Sequence, residues 1–93
     1  MVRLIHEKKI LPEYFWRVIC REKTFEFRKN DCNYKEEDYL LLKEWDNGKF
    51  TGDEVLAKIT YVLENFEGLE KGYCVLGIKV LDTNVRDGGI DYD

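Results

Sequence analysis

Lys23, Thr24, Glu26 and Arg28 place four side chains capable of chemistry within six residues. A lysine beside a carboxylate on a half-buried strand can act as a general base if burial lowers its pKa. It can equally form a salt bridge that orients Arg28 toward a ligand. The planar fork of arginine suits a phosphate or a base edge, and lysine suits a phosphate. Lys29 continues the basic run. Farther along, Trp45, Tyr61 and Tyr73 offer flat faces on which an unpaired base could stack, a contact worth roughly 1–3 kcal/mol each. The same three rings would serve as ordinary core or hairpin packing.

These groups must be held by the element that carries them. Phe25 and Phe27 alternate with Thr24, Glu26 and Arg28, and a period of two predicts a strand over residues 24–29. If the phenylalanines face the core, Thr24, Glu26 and Arg28 line the opposite face. That face is either solvated and salt-bridged or the wall of a binding cleft. Asn30 and Asp31 close the strand with turn-forming residues.

A weak first strand is expected within residues 2–9, where Val2, Leu4 and His6 alternate with Arg3 and Ile5. His6 is the only histidine; it is either a partly exposed strand residue or an imidazole near a cleft. Pro12 suits the first position of a helix, and Glu13 follows where the helix dipole favours negative charge. Leu11, Phe15, Val18 and Ile19 fall at helical spacing, with Arg17 and Arg21 toward the C-terminal end. A helix of about ten residues is too short to persist alone and must pack on the sheet. Trp16 is expected in the core or as an exposed platform.

Residues 30–38 read as a polar loop and residues 39–45 as a strand with apolar residues on both faces. Asp46-Asn47-Gly48-Lys49 is the strongest local signal, because Asn and Gly tolerate the positive φ of a tight hairpin. The return strand runs over residues 50–63. Gly52 suggests a bend or bulge, and Val55, Ala57, Ile59, Tyr61 and Leu63 alternate. An acidic loop over 64–72 precedes a last strand over 73–80. The expected organisation is one domain over residues 1–80 and an acidic tail over 81–93. The fold class is α+β, a small five-stranded closed or nearly closed barrel with one short helix packed against it.

At 93 residues the chain has room for a single core. Its hydrophobic content of 44% and aromatic content of 14% exclude wholesale disorder and favour strands. No apolar run approaches the ~20 residues of a membrane helix, and His6, Glu7, Lys8 and Lys9 interrupt any signal-peptide core. A cytoplasmic location and no membrane partner are therefore expected. Cys20, Cys32 and Cys74 are odd in number and widely spaced, so no metal site is expected. Cys20 and Cys74 read as small core residues and Cys32 as an exposed thiol.

The net charge of −4 hides an asymmetry: residues 1–32 carry eight Lys/Arg against five Asp/Glu, and the remainder seven against fourteen. Such a chain is not a basic domain that grips long phosphate backbones. A short, selective ligand fits better. Phosphate loops and dinucleotide-binding glycine patterns are absent. Serine is absent altogether, which removes serine hydrolases. No cofactor is expected.

Lys23, Glu26 and Arg28 also occupy the Lys, Glu and Arg places of a Gly-x-Lys-x-x-Glu-x-Arg strand that follows a short helix. With residues 9–15, 28–31, 44–46, 50–52, 59–63 and 72–78, the chain resembles the ASCH domains, relatives of the RNA-binding PUA fold. Within these it is similar to a short, mostly uncharacterised bacterial and phage branch, from about Leu4 to Val80. The motif glycine is replaced by Arg21, the basic residue after Asn-Asp by Cys32, and the glycine before Asp38 by Glu37. The resemblance implies a PUA-like barrel and, for most members, an RNA-binding cleft. Some compact bacterial members are instead amidohydrolases that deacylate the exocyclic amine of a modified cytidine. Their motif lysine acts with a threonine at the place of Glu26 and with a distant glutamate that has no counterpart here.

The reading that follows is a non-enzymatic cleft for a short single-stranded RNA or modified nucleoside. Its ligand-binding residues are Lys23, Thr24, Glu26, Arg28, Lys29, Trp45 and Tyr61. The alternatives are a hydrolase of N4-acetylcytidine, with Lys23 and Glu26 as catalytic residues, and a phage-type inhibitor that binds a protein partner through its acidic second half.

Overall fold

The structure, a computed structural model, describes residues 2–85. Its elements run β1 (Ile5–Ile10), α1 (Pro12–Ile19), β2 (Phe25–Lys29), β3 (Tyr39–Asp46), β4 (Lys49–Leu63) and β5 (Tyr73–Asn84). The five strands form one mixed sheet in the order β1-β3-β4-β5-β2. Only β1 and β3 run parallel. The sheet curls into a half-barrel with the short helix against it, the α+β architecture expected.

Local chemistry accounts for most of these elements. Asn47 and Gly48 both take positive φ, 55° and 85°, as a two-residue hairpin between β3 and β4 requires. Between Lys43 and Trp45 the register with β4 shifts, opposite Thr51, Gly52 and Asp53, where Gly52 has φ 102°. A second shift lies between Ile59 and Tyr61 on β4. Val55, Ala57 and Ile59 are buried as their alternation predicts, but the extra residue at Thr60 turns Tyr61 outward, leaving it 56% exposed. Gly77 lies opposite; a Cβ there would come within 3.1 Å of the Thr60 hydroxyl oxygen.

Helix α1 begins at Pro12 and buries Phe15 and Val18, one helical turn apart. Leu11 is the N-cap rather than a core residue and is exposed, while Trp16 sits at the rim with its ring edge-on to Phe15 at 5.2 Å. Cys20 is the C-cap and is exposed, contrary to the core position expected; Cys74 on β5 is fully buried. The helix closes in a Schellman turn. Glu22 N–H donates to Arg17 O (2.9 Å) and Arg21 N–H to Val18 O (3.0 Å), with Arg21 at φ 62°.

The core joins Ile10 of β1, Phe15 and Val18 of α1 and Tyr34 to Leu40 and Leu42 of β3, Val55, Ala57 and Ile59 of β4, and Cys74, Leu76 and Ile78 of β5. Full burial of each large aliphatic side chain contributes about 1.5–3 kcal/mol. His6 is buried beside it rather than partly exposed. Its Nε2 lies 3.0 Å from Asp38 Oδ2, its ring meets Tyr34 edge-on at 4.9 Å, and Leu4 N–H donates to Asp38 Oδ1. The last strand continues past its expected end, pairing residues 82–84 with Glu54, Val55 and Leu56. The remainder of the expected acidic tail lies outside the described residues. None of the described helices is long and apolar enough to cross a membrane.

One expectation is inverted. Phe25 and Phe27 are 47% and 56% exposed, while Glu26 between them is only 4% exposed. The period of two holds, but the faces are exchanged. The helix and the other four strands already fill the core, so the inner face of β2 meets the open side of the half-barrel. A carboxylate bracketed by two cations can be buried there.

Candidate functional site

β1 and β2 end the sheet on opposite sides, and the curl of the sheet brings them back toward each other. Arg28 bridges the open seam by donating from Nη2 to the carbonyl of Lys9 over 2.8 Å. On the same strand face, two residues away, Glu26 points inward, as alternation along a strand requires. Its Oε2 accepts Arg28 Nε at 3.1 Å and Nη2 at 2.8 Å, and its Oε1 accepts the ammonium of Lys23.

Lys23 precedes β2 and is delivered by the end of the helix. Its N–H donates to Arg17 O over 3.1 Å, so the left-handed turn at Arg21 sets where the ammonium points. Lys23 Nζ also donates to Phe25 O at 2.6 Å and lies 4.9 Å from the Phe25 ring centre. Glu26 therefore has both oxygens engaged by cations, the condition under which a buried carboxylate is tolerated.

This trio forms one wall of a cavity of about 460 Å³, lined also by Lys9, Tyr14, Phe25 and Phe27. The volume falls within the range of small-ligand sites. The chemistry is an apolar and aromatic lining with a few converging charges. Within the described residues no hydrogen bond uses Arg28 Nη1. Glu26 thus spends its charge orienting Arg28 and Lys23, and leaves one side of the guanidinium for something else.

The remaining candidates are scattered. Thr24 is exposed; its carbonyl accepts Ile78 N–H, and it lines a second depression with Val18, Arg21 and Lys23 rather than the seam cavity. Lys29 is exposed at the end of β2, opposite Tyr73. Trp45 adjoins the cavity only through Lys9, whose ammonium sits 3.9 Å above the centre of its ring. Tyr61 is on the outer face of the sheet. Lys9 and Tyr14 escaped the sequence reading because the approach of β1 and α1 to β2 leaves no local pattern. Phe25 and Phe27 escape it because large apolar residues at a period of two read as a core face.

A second polar cluster joins β1 to the loop after β2. Lys8 Nζ is 3.7 Å from Asp31 Oδ1, and the Cys32 thiol donates to the same oxygen at 3.2 Å. Hydrogen bonding with Cys32 raises the Lys8 pKa and, aided by the Lys8 charge, lowers that of Asp31. Burial pushes the Tyr34 phenol up to about 12.

Fold and site together define a small α+β half-barrel domain whose open seam holds a buried carboxylate between a lysine and an arginine. The chain belongs to a family described as a domain of unknown function, DUF3850, whose pattern matches residues 5–78. It is 46% identical over 70 residues to an uncharacterised 12.9 kDa protein in the GpA 3′ region of Escherichia phage P2. That match covers 75% of this chain and 64% of the phage protein, so the chain spans less than two thirds of its relative's length.

Proposed function

We propose that the seam cavity binds one unpaired or modified nucleotide of a short RNA, and that the domain is an ASCH-type, PUA-like binding module. The observation that carries this reading is Glu26, buried between Lys23 and Arg28 on the wall of a cavity of small-ligand size. In this arrangement Arg28 turns its unused Nη1 toward a base edge or phosphate. Lys9 and Lys23 supply positive charge, and Tyr14 and Phe25 supply apolar faces for a base. Kinship with the ASCH pattern is supported by both replaced glycines. Arg21 and Glu37 both keep positive φ, 62° and 79°, the conformation that favours glycine.

Binding of short RNAs should weaken as salt rises, with a shallow slope because few phosphates are neutralised. Arg28→Ala should cost ~1–3 kcal/mol of affinity if the guanidinium reads a base. A gel shift against a mixed pool of short RNAs at low salt tests this. No shift at high micromolar protein would overturn the proposal and point to a protein partner, tested by charge reversal at the exposed Glu64, Glu67 and Glu70.

A deacylase would also use Lys23, but here its ammonium donates to both Glu26 and the Phe25 carbonyl. Incubation with N4-acetylcytidine beside a Lys23→Ala control separates the two activities. Turnover lost in that variant would replace the binding reading with a catalytic one.

A further inference from the structure

The outward turn of Phe25 and Phe27 creates a surface that the seam cavity does not account for. On the outer face of the sheet, Phe25 of β2 lies in register with Gly77 of β5, and Gly77 with Tyr61 of β4. The next row is Phe27, Val75 and Leu63, and beyond it Tyr73 lies opposite Lys29. Phe27 and Tyr73 stack nearly parallel, with ring centres 5.3 Å apart and planes 10° apart. Phe25, Phe27 and Tyr61 are each about half exposed or more. A soluble domain rarely leaves so many rings together on one sheet face without a use for them.

The charges around the rings select the occupant. Lys29 stands at one end of this face and Lys79, two residues past Gly77 on β5, at the other. Both are exposed, and neither enters an ion pair among the described residues. Glu64, at the near edge, is engaged by the Asn30 amide at 2.7 Å, and exposed Glu67 and Glu70 lie on the loop that leads into Tyr73, whose N–H donates to Glu70 O. Exposed rings with cations at both ends suit a polyanion carrying flat, unpaired bases. Two residues along a strand advance about 6.6–6.8 Å, a step that an extended single strand can follow from ring to ring. Phe25 and Phe27 also line the seam cavity, so the two surfaces are continuous over the edge of β2.

We infer that the outer face of β2, β5 and β4 is a stacking surface for single-stranded nucleic acid. The bases that flank the nucleotide in the cavity lie on Phe27–Tyr73 and on Tyr61. This rests on the proposed function of the cavity, and the test separates the two.

The probes are fluorescein-labelled diuridylate and octauridylate, measured by anisotropy at low salt. Tyr61 and Tyr73 do not line the cavity; Tyr61→Ala reports on the face, and Tyr73→Ala, which also removes the stacking partner of the cavity-lining Phe27, is read beside it. Each should weaken octamer binding about 5- to 150-fold, the range found for loss of one stacked base. Tyr61→Ala should leave the dimer within about twofold, and Tyr61→Phe should bind the octamer as the parent does. Arg28→Ala should weaken both probes.

If the tyrosine variants bind the octamer like the parent while Arg28→Ala weakens both probes, the face is overturned and the cavity reading stands. If the tyrosine variants weaken octamer binding and Arg28→Ala changes neither probe, the cavity reading fails and the face is supported. Absence of octamer binding at high micromolar protein overturns both. A parent that sediments as a dimer, a Tyr61→Ala variant that sediments as a monomer and equal octamer affinities would overturn the inference by assigning the face to a second copy. Thermal unfolding of each variant confirms that it is folded.

Discussion

Arg28 of β2 donates to the carbonyl of Lys9 at the end of β1, 19 positions earlier in the chain. These strands lie at opposite ends of the sheet order, so a side chain rather than a ladder of backbone bonds closes the seam. The same guanidinium nitrogen also reaches Glu26. Arg28 thus ties closure of the half-barrel to the shape of the cavity, while the Lys8–Asp31 ion pair (3.7 Å) spans the same seam just past the end of β2.

Arg28→Ala should accordingly lower stability as well as binding. It leaves Glu26, at 4% exposure, with Lys23 as its one cationic partner. The expected loss is about 2 kcal/mol, below the ~3–5 kcal/mol for stranding a buried charge outright. Arg28→Lys should recover part of it, since an ammonium restores the charge but not the fork. Urea unfolding midpoints give the values. A loss under ~0.5 kcal/mol for the alanine variant would show that the seam does not need this contact.

Arg21→Gly should make the domain more stable. A non-glycine residue in the left-handed region costs roughly 1–2 kcal/mol, and Arg21 occupies the position of a Schellman turn where glycine is commonest. A gain of about 1 kcal/mol is expected, reduced by the greater freedom of glycine in the unfolded chain. Glu37→Gly relieves a similar strain at φ 79° but removes ion pairs to Lys58 (2.8 Å) and Arg3 (3.2 Å), so its gain should be smaller. Thermal midpoints of the two variants, compared side by side, decide this. A fall for Arg21→Gly would mean that its hydrogen bond to the Ile19 carbonyl outweighs the strain.

Stability should fall at both extremes of pH for separate reasons. Burial alone would raise the Asp38 pKa, but hydrogen bonds from His6 and Leu4 and the charge of His6 hold it below the usual value. A depressed folded pKa contributes stability above the unfolded value, about 3.9. That contribution is lost as pH falls through the folded value. Asp38→Asn should flatten this acid limb. The Tyr34 phenol behaves in the opposite sense, because burial raises its pKa to about 12. Its contribution is complete below the unfolded value of about 10 and lost between there and about 12. Tyr34→Phe should flatten the alkaline limb. Melting temperatures across the pH range test both, and unchanged limbs in the two variants would refute the assignments.

What was legible in the chain was legible for local reasons. Asn47-Gly48 marks a hairpin because its conformation is confined to two residues, and Pro12-Glu13 marks a helix start because both act within the first turn. The alternation at residues 24–28 likewise placed Glu26 and Arg28 side by side. A period of two says which side chains share a face, but not which face the core will take. That choice came from tertiary structure: α1 and the other four strands close the core, and β2 is left at the edge with its inner face toward the seam. Lys23 and Arg28 then make burial of Glu26 tolerable, and the two phenylalanines turn outward. Lys9 joined the site, and Tyr61 left it, through events that no local spacing encodes. The first was the return of β1 to β2 across the curled sheet; the second was one extra residue at Thr60, which reverses the facing of everything after it.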